Sequence, residues 1–299
     1  MHKSGFVTII GKPNVGKSTL LNRIVGEKVA ITSHKPQTTR QTIRGIYDAN
    51  DAQIVFIDTP GIHAPKHALG RIMTDAALNT LGAVDAVLWM VSGLEKIDAV
   101  DETIIERLKA VSTPVVLLVN KIDAAKDIGR LEELIHDYKR RFDFTAVFAV
   151  SAKVGTHTDL LMEDIKAMLD EGPKYYPEGQ VTDHPESFLI AERIREKILR
   201  LTQEEVPHSV MVTIESMEHD DVNPALYNIH ATIVVERDSQ KGIIIGKGGR
   251  MIKRIGTEAR RDILSLLGVK IYLDLHCKVV KNWRNKEPYL KHHGFHHER

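Results

Sequence analysis

Eight residues near the start of the chain restrict its fold more than any other stretch: Gly11-Lys12-Pro13-Asn14-Val15-Gly16-Lys17-Ser18, with Thr19 directly behind them. They match the P-loop pattern G-x-x-x-x-G-K-S and lie between an apolar run, Phe6–Ile10, and a helical pattern. In that setting successive backbone N–H groups turn inward around phosphate oxygens, and the helix N-terminus adds its dipole. Lys17 is expected at the β- and γ-phosphates and the Ser18 hydroxyl on Mg²⁺. A loop of this kind hangs from a parallel sheet, and the first 172 residues supply one. Phe6–Ile10, Gln53–Ile57, Ala86–Val91, Val115–Val119 and Ala146–Val150 read as strands buried on both faces. Helical stretches alternate with them, as in Asp101–Val111, where Ile104, Ile105, Leu108 and Val111 share a face. The alternation predicts an α/β domain with a mostly parallel sheet and helices on both sides. Gln41–Asp48, turning at Ala49-Asn50-Asp51, reads as an antiparallel edge hairpin.

Three further motifs close strands in order behind the P-loop, where open α/β sheets bind their ligands. In Asp58-Thr59-Pro60-Gly61, followed by Ile62, Asp58 is expected to hold magnesium through a water and the Gly61 N–H to contact the γ-phosphate. That contact disappears on hydrolysis, so the loop should switch. In Asn120-Lys121-Ile122-Asp123, the Asp123 carboxylate can accept from guanine's ring N–H and exocyclic amine, a donor pair that adenine lacks. Asn120 and Lys121 would brace the loops. Ser151-Ala152-Lys153 would complete the base pocket through backbone N–H groups. Together the four motifs read as GTP rather than ATP. In the polar loop Ser33–Arg40, Thr39 is the first choice for a second hydroxyl ligand of magnesium and Thr38 the fallback; spacing does not separate them. Ile62 stands where many small GTPases place a water-positioning glutamine, and an isoleucine side chain cannot hydrogen-bond water. A monovalent cation beside Asn14, a backbone carbonyl of the Ser33–Arg40 loop, or a partner are the candidates to replace it. Arg40 and Arg44 read as structural or solvated sooner than as an arginine finger.

The net charge of +1 hides opposed blocks. Residues 1–172 carry 21 basic and 22 acidic groups, residues 173–236 carry 5 and 12, and residues 237–299 carry 15 and 6. A Pro/Gly-rich linker, 173–185, follows the break in periodicity at Glu171–Gly179. Beyond it, 186–299 reads as a helix (Glu186–Leu201), two strands (Val210–Ile214 and Ile229–Glu236), two short helical segments and a closing strand, Val269–Val280. The helical segments flank Gly246-Lys247-Gly248-Gly249, with Ile252, Ile255, Ala259 and Ile263 on one face of the second. This is the GXXG clamp of KH domains, which grip about four nucleotides of single-stranded RNA. Lys247, Arg250, Lys253 and Arg254 supply charge. The order of elements suggests a type II KH domain, an α+β unit. Lys278 lies further along the same basic block, and Trp283 could stack on a base or pack the closing strand. His292-His293 and His296-His297 have helical spacing that could hold a metal, but read as a solvated terminus. The single cysteine, Cys277, excludes an internal disulfide and fits a reducing compartment. No apolar run approaches the roughly 18 residues of a membrane span, and the N-terminus has no signal-peptide organisation.

The order GKPNVGKS, QTTRQ, DTPGI and NKID, then a linker and IIIGKGGRMIK, closely resembles the bacterial Era GTPases over essentially the whole chain. The resemblance implies a GTPase with GTP/GDP and Mg²⁺ as cofactors, and K⁺ at Asn14, since related P-loops ligate potassium through the equivalent asparagine. It also implies a cytoplasmic ribosome-assembly factor that binds the 3′ region of 16S rRNA on the small subunit. Peripheral contact with the cell membrane, a monomeric state and no DNA partner are expected with it. The runner-up is a membrane- or cell-cycle-linked regulatory GTPase with RNA as effector. One departure is His276-Cys277 in the closing strand, where the resemblance leads to an aromatic and an aliphatic residue.

Overall fold

The computed structural model describes residues 2–220 and 222–295. The strands β1 (Lys3–Ile10), β2 (Ile43–Asp48), β3 (Ala52–Asp58), β4 (Ala86–Ser92), β5 (Val115–Asn120) and β6 (Ala146–Ala149) form one sheet in the order β2-β3-β1-β4-β5-β6. Every pairing is parallel except β2 with β3, the expected edge hairpin. Every residue of β4 and β5 is buried, as continuous apolar runs in the middle of a sheet covered on both faces require. The helices α1 (Lys17–Val25), α2 (Ala68–Asn79), α3 (Ala99–Leu108), α4 (Ile128–Lys139) and α5 (Thr158–Met168) supply that cover. Leu20, Leu21, Leu161 and Ile165 pack on one face; Ala77, Ile104, Ile105, Leu108, Leu134 and Tyr138 pack on the other. α3 begins two residues earlier than its apolar periodicity predicts, because Asp98 caps it and Asp101 closes a reciprocal capping box.

After the linker come α6 (Glu186–Leu201), the single-turn α7 (Val206–Ser209), β7 (Met211–His219), β8 (Leu226–Val235), α8 (Asp238–Ile245), α9 (Arg250–Leu267), β9 (Lys270–Val279) and α10 (Glu287–His292). The second sheet runs β7-β8-β9, antiparallel then parallel. With α6 and α9 on one face it buries Ile194, Ile198, Ile229, Ile233, Ile255 and Ile263. This α-β-β-α-α-β order is the expected type II arrangement. β7 is longer than its alternation suggests: a register shift between Ile214 and Ser216 interrupts the period-2 pattern and the strand resumes beyond it. α9 is no short segment either, since it runs 18 residues to a left-handed stop at Gly268. Cys277 fills the place of an aliphatic residue, buried against the helices with its thiol pushed up to about 11 by burial, while His276 faces out.

Candidate functional site

The P-loop turns through left-handed backbone at Asn14 and Gly16. At Gly16 (φ +113) a Cβ would come within 2.2 Å of the Asn120 amide nitrogen, so the loop closes there only with glycine. Lys17 is buried, and its ammonium donates to the carbonyls of Gly11 (3.1 Å) and Lys12 (3.0 Å). Burial lowers its pKa to about 8, against the pull of Asp58. Phosphate oxygens are the partners that would restore a full charge in that position.

Beside Lys17, three oxygen-bearing side chains from separate elements converge. The Ser18 hydroxyl donates to Asp58 Oδ2 at 2.6 Å and lies 2.9 Å from Thr39 Oγ1, which reaches the same carboxylate oxygen at 3.2 Å. Asp58 is wholly buried, which raises its pKa, and its Oδ1 has no hydrogen-bond partner among the described residues. Two hydroxyls and an orphaned carboxylate oxygen are the hard donors that Mg²⁺ takes. Thr38 drops out of that set: its hydroxyl donates to the Lys35 carbonyl at 2.7 Å.

At the other end of the cleft, Asn120 spans two loops, donating to the Val15 carbonyl at 2.7 Å and accepting from the Ala152 N–H at 2.9 Å. Asp123 is exposed, and its Oδ1 accepts from the Ser151 hydroxyl at 2.7 Å. Lys121 takes a left-handed turn that starts the short Ile122–Ala124 helical turn. The cleft has a volume of about 890 Å³ and is lined by Pro13, Asn14, Gly16–Thr19, Thr39, Gly61, Asn120, Lys121, Asp123 and Ala152, among others.

Several expected contacts move. The side chain of Lys12 points away from the cleft, held by Asp101 at 2.8 Å and Asp98 at 3.0 Å, so only its backbone can serve a phosphate. Thr59 is buried with its hydroxyl on the Ile9 carbonyl at 2.7 Å, and Pro60 is buried beside it. Ile62 packs in the core with Ile10 and Trp89, and its N–H donates to the Gly11 carbonyl at 3.0 Å. Val15 is likewise a core residue. Gly61 does border the cleft, packed so closely on Pro13 that a Cβ would come within 2.7 Å of that ring. Its carbonyl meets His63 Nδ1 at 2.8 Å, and His63 Nε2 meets the Gln37 amide at 2.8 Å, which joins the two loops.

Gly246, Gly248 and Gly249 all take positive φ, and Lys247, Arg250, Lys253 and Arg254 are exposed around them. Arg254 pairs with Glu258 at 2.9 Å. Lys278 is exposed on β9. Trp283 requires a correction. It is fully buried, and its indole N–H donates to the Ser209 carbonyl at 2.9 Å, so no base can stack on it. It belongs to a small core of Leu69, Met73, Met211, Val234, Leu290 and Phe295, which docks α10 onto α2. Leu290 and Phe295 are thus buried in a stretch whose His292 is solvated, as the sequence reads. No group of three metal-ligating side chains occurs among the described residues, and His296 and His297 lie outside them.

Sequence reading missed the residues that join the two halves. Arg40 is buried, and its guanidinium donates to the carbonyls of Val210 (2.5 Å), Pro207 (3.1 Å) and His208 (3.1 Å). It also lies 5.9 Å over Trp283. Arg195 of α6 donates to the Thr38 carbonyl. Arg44 pairs with Asp183 of the linker at 2.8 Å. Neither Arg40 nor Arg44 serves as a finger in this arrangement. Arg23 on α1 pins the base loop through the Ala152 (2.6 Å) and Lys153 (2.5 Å) carbonyls. Only an arginine next to a Thr-Thr pair hinted at any of this, and its partners lie about 170 residues away.

Residues 6–121 match the family described as 50S ribosome-binding GTPases, and residues 205–284 match the KH domain family. Two crystal structures are similar over nearly the whole chain. One is Era in complex with MgGDPNP and nucleotides 1506–1542 of 16S ribosomal RNA, 40% identical, covering 99% of this chain and 99% of that one, with a TM-score of 0.96. The other is an Aquifex aeolicus Era variant with a tyrosine replaced by alanine, bound to GDP and AlF4⁻. It is 40% identical, covers 98% of this chain and 99% of that one, and has a TM-score of 0.94.

Proposed function

The chain belongs to the Era family of GTPases, and we propose that it is a GTP-set switch that grips the 3′ region of 16S rRNA and assists assembly of the small ribosomal subunit. It hydrolyses GTP to GDP and phosphate. Lys17 and the P-loop N–H groups hold the β- and γ-phosphates, and Asp123 with the Ser151–Lys153 loop holds guanine. Ser18 and Thr39 bind Mg²⁺ directly and Asp58 through a water; the bound ion neutralises charge on the phosphate oxygens. The fit of that donor set rests on the orphaned Oδ1 of Asp58. With Ile62 in the core, no side chain at that position can orient the attacking water. Asn14 donates to the His34 carbonyl at 2.9 Å, which sets an amide beside a loop carbonyl, a pair suited to K⁺. A potassium ion held there by the Asn14 amide oxygen and a loop carbonyl would supply positive charge at the phosphates, where other GTPases rely on a glutamine.

The observation that carries the coupling is the route by which both switching loops reach the second domain. Arg40, next to Thr39, bonds directly to residues 207–210, while α2, which follows the Gly61 loop, packs on Trp283, Leu290 and Phe295. Order at the γ-phosphate is thereby order at the RNA-binding half, and hydrolysis loosens both. The protein works in the cytoplasm, and its basic face also suits peripheral contact with an anionic membrane surface. No helix among the described residues is long and apolar enough to cross a membrane. The deciding experiment crosslinks the protein, locked with a non-hydrolysable GTP analogue, to cellular RNA and sequences the fragments. Enrichment at the 3′ end of 16S rRNA is expected. Fragments spread over many messages, without that enrichment, would overturn the assembly reading.

A further inference from the structure

Two residues on the wall of the nucleotide cleft come from outside the GTPase fold. Leu199 and Arg200, at the end of α6, border the cleft together with Thr32 and Ser33. The P-loop, Ser18 and Thr39 occupy the end that takes the β- and γ-phosphates, and Asn120, Asp123 and Ala152 the end that takes the base. The wall shared by Thr32, Ser33 and Arg200 is left to the ribose and α-phosphate between them.

Arg200 is aimed there by a buried cluster. Glu196, wholly buried one helical turn earlier, accepts from Arg200 at 2.9 Å, from Lys28 at 2.6 Å and from the Thr32 N–H at 3.1 Å. Lys197 lies 3.6 Å from the same carboxylate. Asp262 of α9 takes Lys28 at 3.2 Å and Lys197 at 2.6 Å. Arg193, also buried in this cluster, donates to the Lys28 carbonyl and has an Nη1 without a partner. Three cations, Lys28, Lys197 and Arg200, thus share two carboxylates, with Arg193 buried beside them. Excess positive charge in a partly desolvated interface is unfavourable until an anion approaches it. Arg200, with its side chain 48% exposed, is the member of the cluster that reaches the cleft.

We propose that the second domain is part of the nucleotide site: Arg200, held by Glu196, lends its guanidinium to the ribose–phosphate stretch of bound GTP or GDP. This rests on the cleft being the guanine-nucleotide site. The nucleotide is then the missing counter-charge of the interface and fastens the second domain to the first. By linkage, any displacement of α6 from the G domain weakens nucleotide binding by the same factor. Because the contact lies away from the γ-phosphate, GDP and GTP feel it alike, unlike contacts made by Thr39 or Gly61.

The test compares full-length wild type with Arg200→Gln and Arg200→Lys. It measures affinity for GDP and a non-hydrolysable GTP analogue with Mg²⁺, from about 50 to about 300 mM NaCl. Arg200→Gln should weaken both nucleotides by about three- to tenfold at low salt, with Arg200→Lys recovering much of the loss. The gap should close as salt rises, as expected for a charge contact to the phosphate. Arg200→Gln binding like wild type at low salt, or a loss that persists unchanged at high salt, overturns the proposal. Wild type failing to bind guanine nucleotides would instead sink the underlying GTPase reading.

Discussion

Thr38 and Thr39 are adjacent and identical, and only their side-chain directions separate them. Thr39 meets Ser18 and Asp58, whereas Thr38 closes a local turn on Lys35. The Thr39 side chain faces the metal site, while that of Thr38 turns back to the Lys35 carbonyl across the turn that precedes it. Asn14 is decided in a similar way. Its left-handed backbone, φ 63°, swings the amide toward the His34 carbonyl. Asn14→Ala should retain nucleotide affinity within a few-fold while losing the stimulation of hydrolysis by K⁺ over Na⁺, measured as phosphate release under single turnover. Wild type turning over equally fast in the two salts would remove potassium from the mechanism. Lys12 shows the limit of motif reading: its presence in the loop is plain from the pattern, but its destination at Asp98 and Asp101 is not.

Helix α2 joins the switching loop to the RNA-binding half, and its N-cap is a histidine. His67 Nδ1 accepts from the Gly70 N–H at 2.9 Å, which only a neutral imidazole can do. Burial, with Arg284 and Arg40 nearby, lowers its pKa from 6.5 to about 4. The unfolded chain takes up this proton as pH falls through 6.5, while the folded one resists until about 4. The stabilising cap is therefore intact above pH 6.5 and its contribution is lost progressively toward pH 4. His67→Asn keeps an acceptor at the cap without a titration. Its urea midpoint should fall less than that of wild type between pH 6.5 and 4; equal slopes would mean His67 is not the titrating group. Among the other elements, the continuous apolar runs of β4 and β5 and the helical pattern of α6 are legible in the sequence. β7 is legible only up to its bulge, where the period-2 signal stops although the pairing does not. α10 carries too few apolar residues to declare itself, because Leu290 and Phe295 find their core on α2 rather than on their own segment.

Across the whole molecule, Arg40 is the tie between switching loop and second domain. Arg40→Gln should cost about 2–4 kcal/mol of stability, since it leaves buried carbonyls unpaired. It should also bring the ratio of RNA affinities in the GTP-analogue and GDP states toward one, read by fluorescence anisotropy with a 16S 3′ fragment. An unchanged ratio would reduce Arg40 to a brace. Trp283 and Arg40 show why charge and aromatic content mislead: the tryptophan of the basic block is a core residue, and the positive charge of Arg40, in the first domain, is consumed inside the interface. By itself, the sequence determined the α/β nucleotide fold, the choice of guanine and the GXXG clamp. Each depends on a short spacing beside a strand or helix end, and local backbone geometry carries that spacing into space. Only the tertiary structure decided which threonine meets the metal, which cations remain for RNA or nucleotide, and how the two halves are joined. Those outcomes turn on partners from separate elements, 19 to 21 residues apart for Thr39 and 170 for Arg40 and Val210, brought together by packing, and no local pattern records them.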